Sequence, residues 1–370
     1  MEFSENKNLV IDLDEGGHHF HHLRCSISGK NQLWVLTSKI NSDKLALLGR
    51  DRLNITVFNV TRNYIINNCY LWLKIIGIIR SNKLDNAIHL CLDKITAFAF
   101  LRVLCPFPFS ESESKIGGIF FVSNFYYKRN NNIFLFIRYL LVRGLFTLWI
   151  IRANKAKFFF FDKNLYSIFS KTCSRENVLL LNDPILFDED FSLSECQNVN
   201  IENDYLLFIG AHNKRKGTEW ALKILEESGY NGSIIVAGKI LDEDLTTFLN
   251  KTCLKIQVYN HFISDNLLQT LIKESKLVVM PYMFWGGSSG IFLWAMSFNK
   301  PTLISDYGMM GDFAKRINWG YIFEHINKTS FSDMILLAVS TNYIPPFDGH
   351  DYIKKHHSPE QFAAYLHNSF

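Results

Sequence analysis

The sequence predicts an α/β protein of two domains, each with a parallel sheet covered by helices on both faces. Short apolar runs alternate with helix-like stretches, and continuous apolar strands are typical of sheets buried on both sides. This alternation occurs twice, before and after a polar, acidic stretch at residues 187–204. At 370 residues the chain also exceeds one ordinary hydrophobic core. We therefore predict two Rossmann-like domains facing each other across a cleft.

The first half opens as a strand, a helix and a second strand. Further strands are expected wherever short apolar runs recur, and an apolar helix is expected at 64–80. The predicted strands of this half are 8–13, 33–37, 87–92, 118–122 and 157–161. This half ends at 178–185, so we assign residues 1–186 to the first domain and 187–204 to a linker.

The second half repeats the alternation of strands and helices. Its predicted strands are 205–210, 233–237, 255–259, 277–280 and 302–304, with helices at 218–228, 243–251 and 265–274. Pro345 and Pro346 then interrupt the chain. A last helix at 358–370 begins with Ser358 as the N-cap residue and Pro359 at the first helical position. We expect a second domain at 205–345, with residues 346–370 crossing back to the first.

Composition limits the function classes. Hydrophobic residues make up 48% and charged residues 20%, which is typical of a globular chain. The net charge of +4 does not indicate a nucleic-acid partner. The 7 cysteines follow no CxxC pattern, and the N-terminus lacks the features of a signal peptide. These features favour a reduced, cytoplasmic setting, and the 32 phenylalanines indicate aromatic cores or an apolar binding surface.

The apolar segment at residues 133–151 is long enough to cross a bilayer, but two arginines and a glycine interrupt it. An arginine at the centre of a membrane helix costs about 2.5–3.5 kcal/mol on insertion scales. Three interpretations stay open: a mostly buried pair of helices, a basic helix resting on an anionic membrane face, and a transmembrane span.

Two loops after predicted strands carry the signature of an anion site. Gly210 ends one strand, and a loop with Lys214, Arg215 and Lys216 follows before Gly217 and a helix. Such loops reach the mouth of a parallel sheet, where cations stabilise a diphosphate leaving group. The alternative is a solvated basic turn.

The other loop is rich in small residues: Gly286, Gly287, Ser288, Ser289 and Gly290 link a buried strand to a helix. Backbone N–H groups at a helix N-terminus bind anions. The alternative is a tight turn with no ligand.

Residues 280–308, MPYMFWGGSSGIFLWAMSFNKPTLISDYG, together with the Lys216-Gly217 pair, resemble the donor-nucleotide segment of the glycosyltransferase group 1 family. The resemblance implies the GT-B fold, a retaining mechanism, and Arg215, Lys216 and the 287–290 turn as the donor-phosphate site. In this family a glutamate usually stands where this chain has Gly286 and another where it has Trp294. Both carboxylates are absent, so the resemblance implies a divergent member. Trp294 stands where the family contacts the nucleotide ribose and is kept as a donor-binding candidate.

A histidine cluster follows the first strand: Gly16, Gly17, His18, His19, His21 and His22. The resemblance implies that the two glycines, His18 and His19 form a loop contacting the donor phosphate and the acceptor; an ordinary helix start and a metal site are the alternatives. No nearby Cys or Asp completes a closed metal site, so no metal is predicted.

At the end of another strand, His89 and Asp93 are catalytic candidates together with His18. A strand-end hydrogen bond for His89 and a helix cap for Asp93 are equally good explanations.

The predicted function is transfer of a hexosyl group from a nucleoside diphosphate sugar to a saccharide or lipid-linked acceptor in cell-surface glycan synthesis. The sugar nucleotide is a co-substrate, and no cofactor is expected. The predicted location is cytoplasmic, with peripheral contact at the inner membrane face left open. An inactive relative that serves as a binding or scaffolding subunit is the alternative, motivated by the two missing glutamates.

Overall fold

A computed structural model describes residues 7–13, 19–28, 33–47, 53–58, 64–92, 95–120, 133–173, 176–186, 204–284 and 286–369. The chain divides into two compact units. One contains residues 1–186 and 357–370, and the other contains residues 187–356.

The first unit is built on a seven-stranded sheet with the order β3-β2-β1-β4-β5-β6-β7, in which neighbouring strands run parallel. Its strands are β1 (Asn8–Asp12), β2 (Trp34–Thr37), β3 (Asn54–Val57), β4 (Asn86–His89), β5 (Ile116–Phe120), β6 (Phe158–Phe160) and β7 (Val178–Leu180). Its helices are α1 (His19–Ser26), α2 (Lys39–Leu47), α3 (Tyr64–Asn82), α4 (Thr96–Leu104), α5 (Ile133–Arg152) and α6 (Lys163–Thr172).

This sheet differs from the sequence prediction at β3 and at β4. The edge strand β3 was not predicted, because its four residues are exposed or half-buried and do not form an apolar run. The strand predicted at 87–92 ends at His89, since Leu90 and Cys91 form a turn that is as buried as the strand itself. Hydrophobicity alone therefore did not mark where the strand ends.

An aromatic cluster fills the core between the sheet and α5. Phe120 of β5 stacks on Phe160 with ring centroids 5.2 Å apart, and Phe146 of α5 meets Phe120 edge-on at 4.4 Å. Trp149, which is fully buried, meets Phe158 edge-on. Edge-to-face and offset contacts of this kind stabilise a core beyond simple area burial. The aromatic core indicated by the composition is thus present in the first unit.

The apolar segment forms one continuous helix, α5, so of the three interpretations the pair of helices is wrong. Of the interrupting residues, Gly144 is the one that disfavours a helix, and a single glycine lowers helix stability by only about 1 kcal/mol relative to alanine. No proline follows to end the helix. Among the residues that the structure describes, no helix is long and apolar enough to cross a membrane.

The second unit contains a six-stranded parallel sheet with the order β10-β9-β8-β11-β12-β13. Its strands are β8 (Leu206–Ile209), β9 (Ile234–Ala237), β10 (Ile256–Tyr259), β11 (Leu277–Met280), β12 (Thr302–Ser305) and β13 (Tyr321–Phe323). Its helices are α7 (Thr218–Glu227), α8 (Glu243–Leu249), α9 (Asp265–Glu274), α10 (Gly290–Ser297), α11 (Gly308–Ile317), α12 (Lys328–Ser340) and α13 (Gly349–His356). The predicted α/β class with two doubly wound parallel sheets is confirmed.

The last helix, α14 (Pro359–Asn368), belongs to the first unit and packs on α1. Ser358 caps it by accepting from the backbone N–H of Gln361. Two buried histidines hold this end of the chain. His367 hydrogen-bonds Asn8 and the carbonyl oxygen of Ser26, and His357 bonds the carbonyl oxygen of Asp183 at 2.6 Å.

Candidate active site

The second unit has its topological switch point between β8 and β11. From β8 the chain passes through α7 to β9 on one side, whereas from β11 it passes through α10 to β12 on the other. The two loops therefore diverge at the carboxyl edge of the sheet, and such a crevice is where parallel sheets bind ligands. Both loops predicted to form an anion site, 210–217 and 286–290, lie at this position.

A buried histidine, which was not predicted as a site residue, anchors the first loop. The ring of His212 bonds the hydroxyl of Thr218 at 2.9 Å and the carbonyl oxygen of Ala237 at 3.1 Å, so the loop is tied to both α7 and β9. Burial lowers the pKa of His212 to about 4, opposed by the bond to Ala237, and the charge of Lys216 lowers it further. His212 is therefore neutral near pH 7.

Two glycines shape the same loop. Gly217 ends a short 3-10 turn at 214–216 with φ +68°, a left-handed conformation that favours glycine. A Cβ atom at this position would lie 2.2 Å from the carbonyl oxygen of Pro281. At Gly210, with φ +112°, a Cβ would lie 3.1 Å from the Nζ atom of Lys216. The absence of side chains at both positions lets the two loops approach each other and lets Lys216 fold back over the strand end.

The three cations of the loop have different environments. Lys214 is exposed, and its Nζ pairs with Asp244 at 3.0 Å. Arg215 is half-buried, and its backbone oxygen accepts from Met283 N–H at 2.9 Å, a direct link to the loop after β11. Lys216 makes no ion pair with any residue that the structure describes. Its charge is therefore uncompensated within the described chain.

Lys216 is instead held by a phenol. Its Nζ donates to the Oη atom of Tyr282 at 2.7 Å and lies 4.4 Å from the centre of that ring. The same Oη hydrogen-bonds the Oγ atom of Ser289 at 3.0 Å, and Tyr282 is only 5% exposed. A chain of three polar side chains, which we call the Lys216–Tyr282–Ser289 relay, thus connects the two loops. Tyr282 was not predicted as a site residue.

The turn after β11 leads directly into α10, which begins at Gly290. Ser289 is the N-cap residue, but its hydroxyl bonds Tyr282 rather than the helix, and its N–H points at the sulfur of Met310 at 3.1 Å. Sulfur is a weak acceptor. Gly287 is buried and Ser288 half-buried in the same turn. All the predicted residues of this turn are therefore gathered at the N-terminus of α10.

Gly286 and Trp294 occupy the positions at which the resembling family carries glutamates. The Gly286 carbonyl accepts from Met309 N–H at 3.0 Å, and a Cβ on Gly308 would lie 2.7 Å from the Gly286 Cα. The turn is thus packed closely against the start of α11. Trp294 lies in α10, is 8% exposed, and stacks on Phe298 with ring centroids 5.9 Å apart.

At the end of β12, Asp306 connects three elements of the second unit. Its carboxylate accepts from the backbone N–H of His325 at 2.9 Å and from Lys315 Nζ at 3.3 Å. Tyr307 stacks on the His325 ring with centroids 4.4 Å apart. These contacts fix the segment 305–308 beside the switch-point loops through Ser305, whose hydroxyl donates to the carbonyl oxygen of Tyr282.

In the first unit the switch point lies between β1 and β4, and two buried polar residues end these strands. Asp12 is the last residue of β1 and His89 the last of β4, with Ile11 and His89 in register. The Nδ1 atom of His89 accepts from Cys91 N–H at 3.1 Å, so the ring hydrogen is on Nε2. In this state Nε2 is a donor rather than a base. Asp12 was not predicted.

The other predicted residues of this unit lie in the histidine segment or follow β4. Gly16, Gly17, His18 and Asp93 lie outside the described residues, and His19 begins α1. His22 of the histidine cluster is directed to Asp183, with Nε2 and Oδ1 2.7 Å apart, and stacks on Phe161. Among the described residues, no group of three His, Cys, Asp or Glu side chains is positioned to hold a metal ion.

Comparison with known proteins identifies the architecture but no sequence relative. No protein-family model and no curated protein matches the sequence. Among solved structures, the chain is similar to WaaG, a glycosyltransferase involved in lipopolysaccharide biosynthesis (14% identity, TM-score 0.63, covering 97% of this chain and 99% of that one).

Two further solved structures share the architecture. HepE from Anabaena, solved with UDP-glucose, is 13% identical with a TM-score of 0.66 over 98% of this chain and 100% of that one. Sucrose-phosphate synthase from Thermosynechococcus elongatus is 9% identical with a TM-score of 0.67 over 98% and 97%. Since these likenesses extend over both parallel-sheet units, the chain has the GT-B fold of these glycosyltransferases.

Proposed function

We propose that the protein transfers a sugar from a nucleoside diphosphate sugar to a saccharide or lipid-linked acceptor. The observation that carries the proposal is the Lys216–Tyr282–Ser289 relay at the switch point of the second unit. It supports a site for an anion, because an uncompensated ammonium group and a helix N-terminus lie at the same sheet edge. HepE, with the same fold, was solved with a sugar nucleotide.

The proposed chemistry uses Lys216 to stabilise the leaving diphosphate. As the bond between the sugar and the phosphate oxygen breaks, negative charge grows on that oxygen, and a fixed cation lowers the energy of this state. A lysine already paired with a carboxylate, as Lys214 is with Asp244, would be a weaker donor to phosphate. Tyr282 offers Lys216 a neutral acceptor, which holds the ammonium group without cancelling its charge.

Arg215 and the 287–290 turn complete the proposed diphosphate site. Trp294 is proposed to lie next to the ribose of the nucleotide. Retention of anomeric configuration follows from the family resemblance and is part of the proposal, as is the absence of a cofactor or metal. His18, His89 and Asp93 stay the catalytic candidates, and the loop with Gly16, Gly17, His18 and His19 stays the candidate for contact with the acceptor. For His89, the protonated Nε2 favours donation to a sugar hydroxyl over proton abstraction.

We further propose peripheral contact with the inner face of a membrane, where lipid-linked acceptors are found. The proposed role is in cell-surface glycan synthesis. The protein would meet its donor in the cytoplasm. The support for membrane contact is a set of exposed apolar side chains on α5, among them Phe134, Leu141 and Ile151.

The test is ligand-dependent thermal stability with UDP-, GDP-, CMP- and dTDP-sugars. A ligand at one hundred times its Kd adds about 2.7 kcal/mol of stability. We expect a shift with one nucleotide class, loss of the shift in Lys216→Met, and retention in the matched variant Lys214→Met, whose cation is exposed and paired with Asp244. An equal effect of both substitutions would contradict the assignment of Lys216.

A second candidate function, a binding or scaffolding subunit without transferase activity, is favoured by one observation. Trp294 and Gly286 replace two carboxylates, and both are packed into the second unit. This alternative predicts no shift with any sugar nucleotide and stable association with a protein partner. It would be adopted if the thermal shift and a turnover assay that detects released nucleoside diphosphate were both negative.

A further inference from the structure

Helix α5 of the first unit carries an exposed apolar stripe. The stripe consists of Phe134, Ile137, Leu140, Leu141, Leu148 and Ile151, all exposed to solvent. At 100° per residue these six positions fall within an arc of about 120° on the helix surface. Leu141 is 63% exposed and Phe134 77%. Ordinary surface helices place polar residues on this side, so the stripe requires an explanation.

The opposite side of α5 accounts for the fixed orientation of the helix. Phe146, Trp149 and Ile150 are buried on the sheet, and Phe146 and Trp149 belong to the aromatic cluster of the core. The helix is therefore anchored by one face while the other faces outward. From Phe134 to Ile151 the stripe is roughly 25 Å long, which is long enough to contact many lipid head groups.

The apolar surface continues beyond α5. Arg152 donates to the carbonyl oxygen of Cys105, one residue after α4, so the C-terminal ends of α4 and α5 lie side by side. Leu101 and Leu104 of α4 and Phe107 of the following loop are also exposed, Phe107 by 71%.

The charges of α5 have one sign. Its sequence contains Arg138, Arg143 and Arg152 and no aspartate or glutamate. By helical geometry Arg143 lies on one side of the stripe and Arg152 at its other edge. An apolar stripe flanked by arginines is the pattern of a helix that lies in the interface of an anionic membrane.

We propose that this surface, the α5 stripe with Leu101, Leu104 and Phe107, docks the protein on an anionic lipid bilayer. A second copy of the chain is a poorer occupant, because a symmetric contact of α5 with α5 would bring arginines together with no acidic residue of that helix to pair with them. The inference deepens the proposed function by assigning the surface that brings the enzyme to lipid-linked acceptors.

The test is flotation of the full-length protein with vesicles, compared between phosphatidylcholine alone and an equimolar mixture with phosphatidylglycerol. The informative variant is Leu141→Gln/Leu148→Gln, whose side chains are exposed, so folding should be retained. The matched control is Leu336→Gln/Leu337→Gln on α12 of the second unit, two leucines that are also exposed.

We expect binding to the anionic vesicles only, weakened by high salt. The α5 variant should bind about a hundredfold less, since each leucine that loses contact with the acyl region costs roughly tenfold in partition. The control variant should bind like the wild type. Circular dichroism of each variant verifies that it is folded.

Three outcomes would overturn the inference: equal binding to both vesicle types, wild-type binding by the α5 variant, or no vesicle binding by the wild-type protein. In the last case light scattering identifies the other occupant: a wild-type dimer that the α5 substitutions make monomeric would show that the surface binds a second copy of the chain. The sugar-nucleotide thermal shift is measured on the same samples. A normal nucleotide shift with failed flotation rejects the membrane surface alone. Flotation with neither a nucleotide shift nor turnover of a sugar nucleotide rejects the proposed transferase function alone.

Discussion

Replacing Tyr282 with phenylalanine removes one oxygen atom from the candidate site and leaves the ring in place. That oxygen accepts from Lys216 at 2.7 Å and bonds Ser289 at 3.0 Å, whereas the ring, 4.4 Å from the ammonium nitrogen, stays available for a cation–π contact. The variant therefore tests whether the phenol hydroxyl positions the lysine for its ligand.

The magnitude follows from the two hydrogen bonds. A hydrogen bond to a charged group contributes about 1.5–3 kcal/mol, and the lower end applies here because Lys216 is only half-buried. If this energy holds the ammonium group where the diphosphate binds, its loss weakens sugar-nucleotide binding about tenfold. Loss of the neutral hydrogen bond to Ser289 should lower the free energy of unfolding by roughly a further 1 kcal/mol, the value of one such bond.

Isothermal titration with the nucleotide identified by thermal shift measures the Kd, and urea unfolding measures the stability. The matched control is Tyr259→Phe on β10, which removes an exposed hydroxyl bonded to Gln257 at 2.7 Å. We expect the Kd of Tyr259→Phe to equal that of the wild type. If Tyr282→Phe also binds like the wild type while Lys216→Met does not, the tyrosine does not position the lysine and the reasoning is refuted.

Two further predictions concern the loop that carries Lys216. Burial holds the folded-state pKa of His212 at about 4, whereas the unfolded chain binds this proton near pH 6.5. Protonation of His212 in the unfolded chain should therefore lower the free energy of unfolding by about 3 kcal/mol as the pH falls from about 6.5 to 4. The difference in urea midpoint between pH 7 and pH 4.5 should accordingly be smaller in His212→Gln, and an unchanged difference would contradict this origin. Gly217→Ala should destabilise the protein by about 1–3 kcal/mol more than Gly229→Ala, because both have nearly the same positive φ but only the Cβ at 217 meets a backbone oxygen, that of Pro281. Thermal unfolding of the two variants compares them directly, and equal losses would mean that the two loops are not in close contact.

Much of the second unit was predictable because its signals are local. Short apolar strands, each followed by a helix, predict the sheet. The adjacent Lys216 and Gly217 and the small residues at 286–290 predict the loops at its edge. Hydrophobic periodicity and turn chemistry depend on neighbouring residues, so they can be read from the chain. Edge strand β3 was missed for the same reason, since its residues are not apolar enough to show a local pattern.

The fold class, the two-part organisation and the residue types of the anion loops were set by local sequence. The tertiary structure alone decided that Lys216 meets Tyr282, 66 positions further along the chain, rather than a carboxylate as Lys214 does. It also decided that one face of α5 is buried on the sheet while the other stays exposed, because both faces carry large apolar side chains in sequence. A side chain's partner depends on which strands become neighbours, and strand order is a property of the whole folded unit.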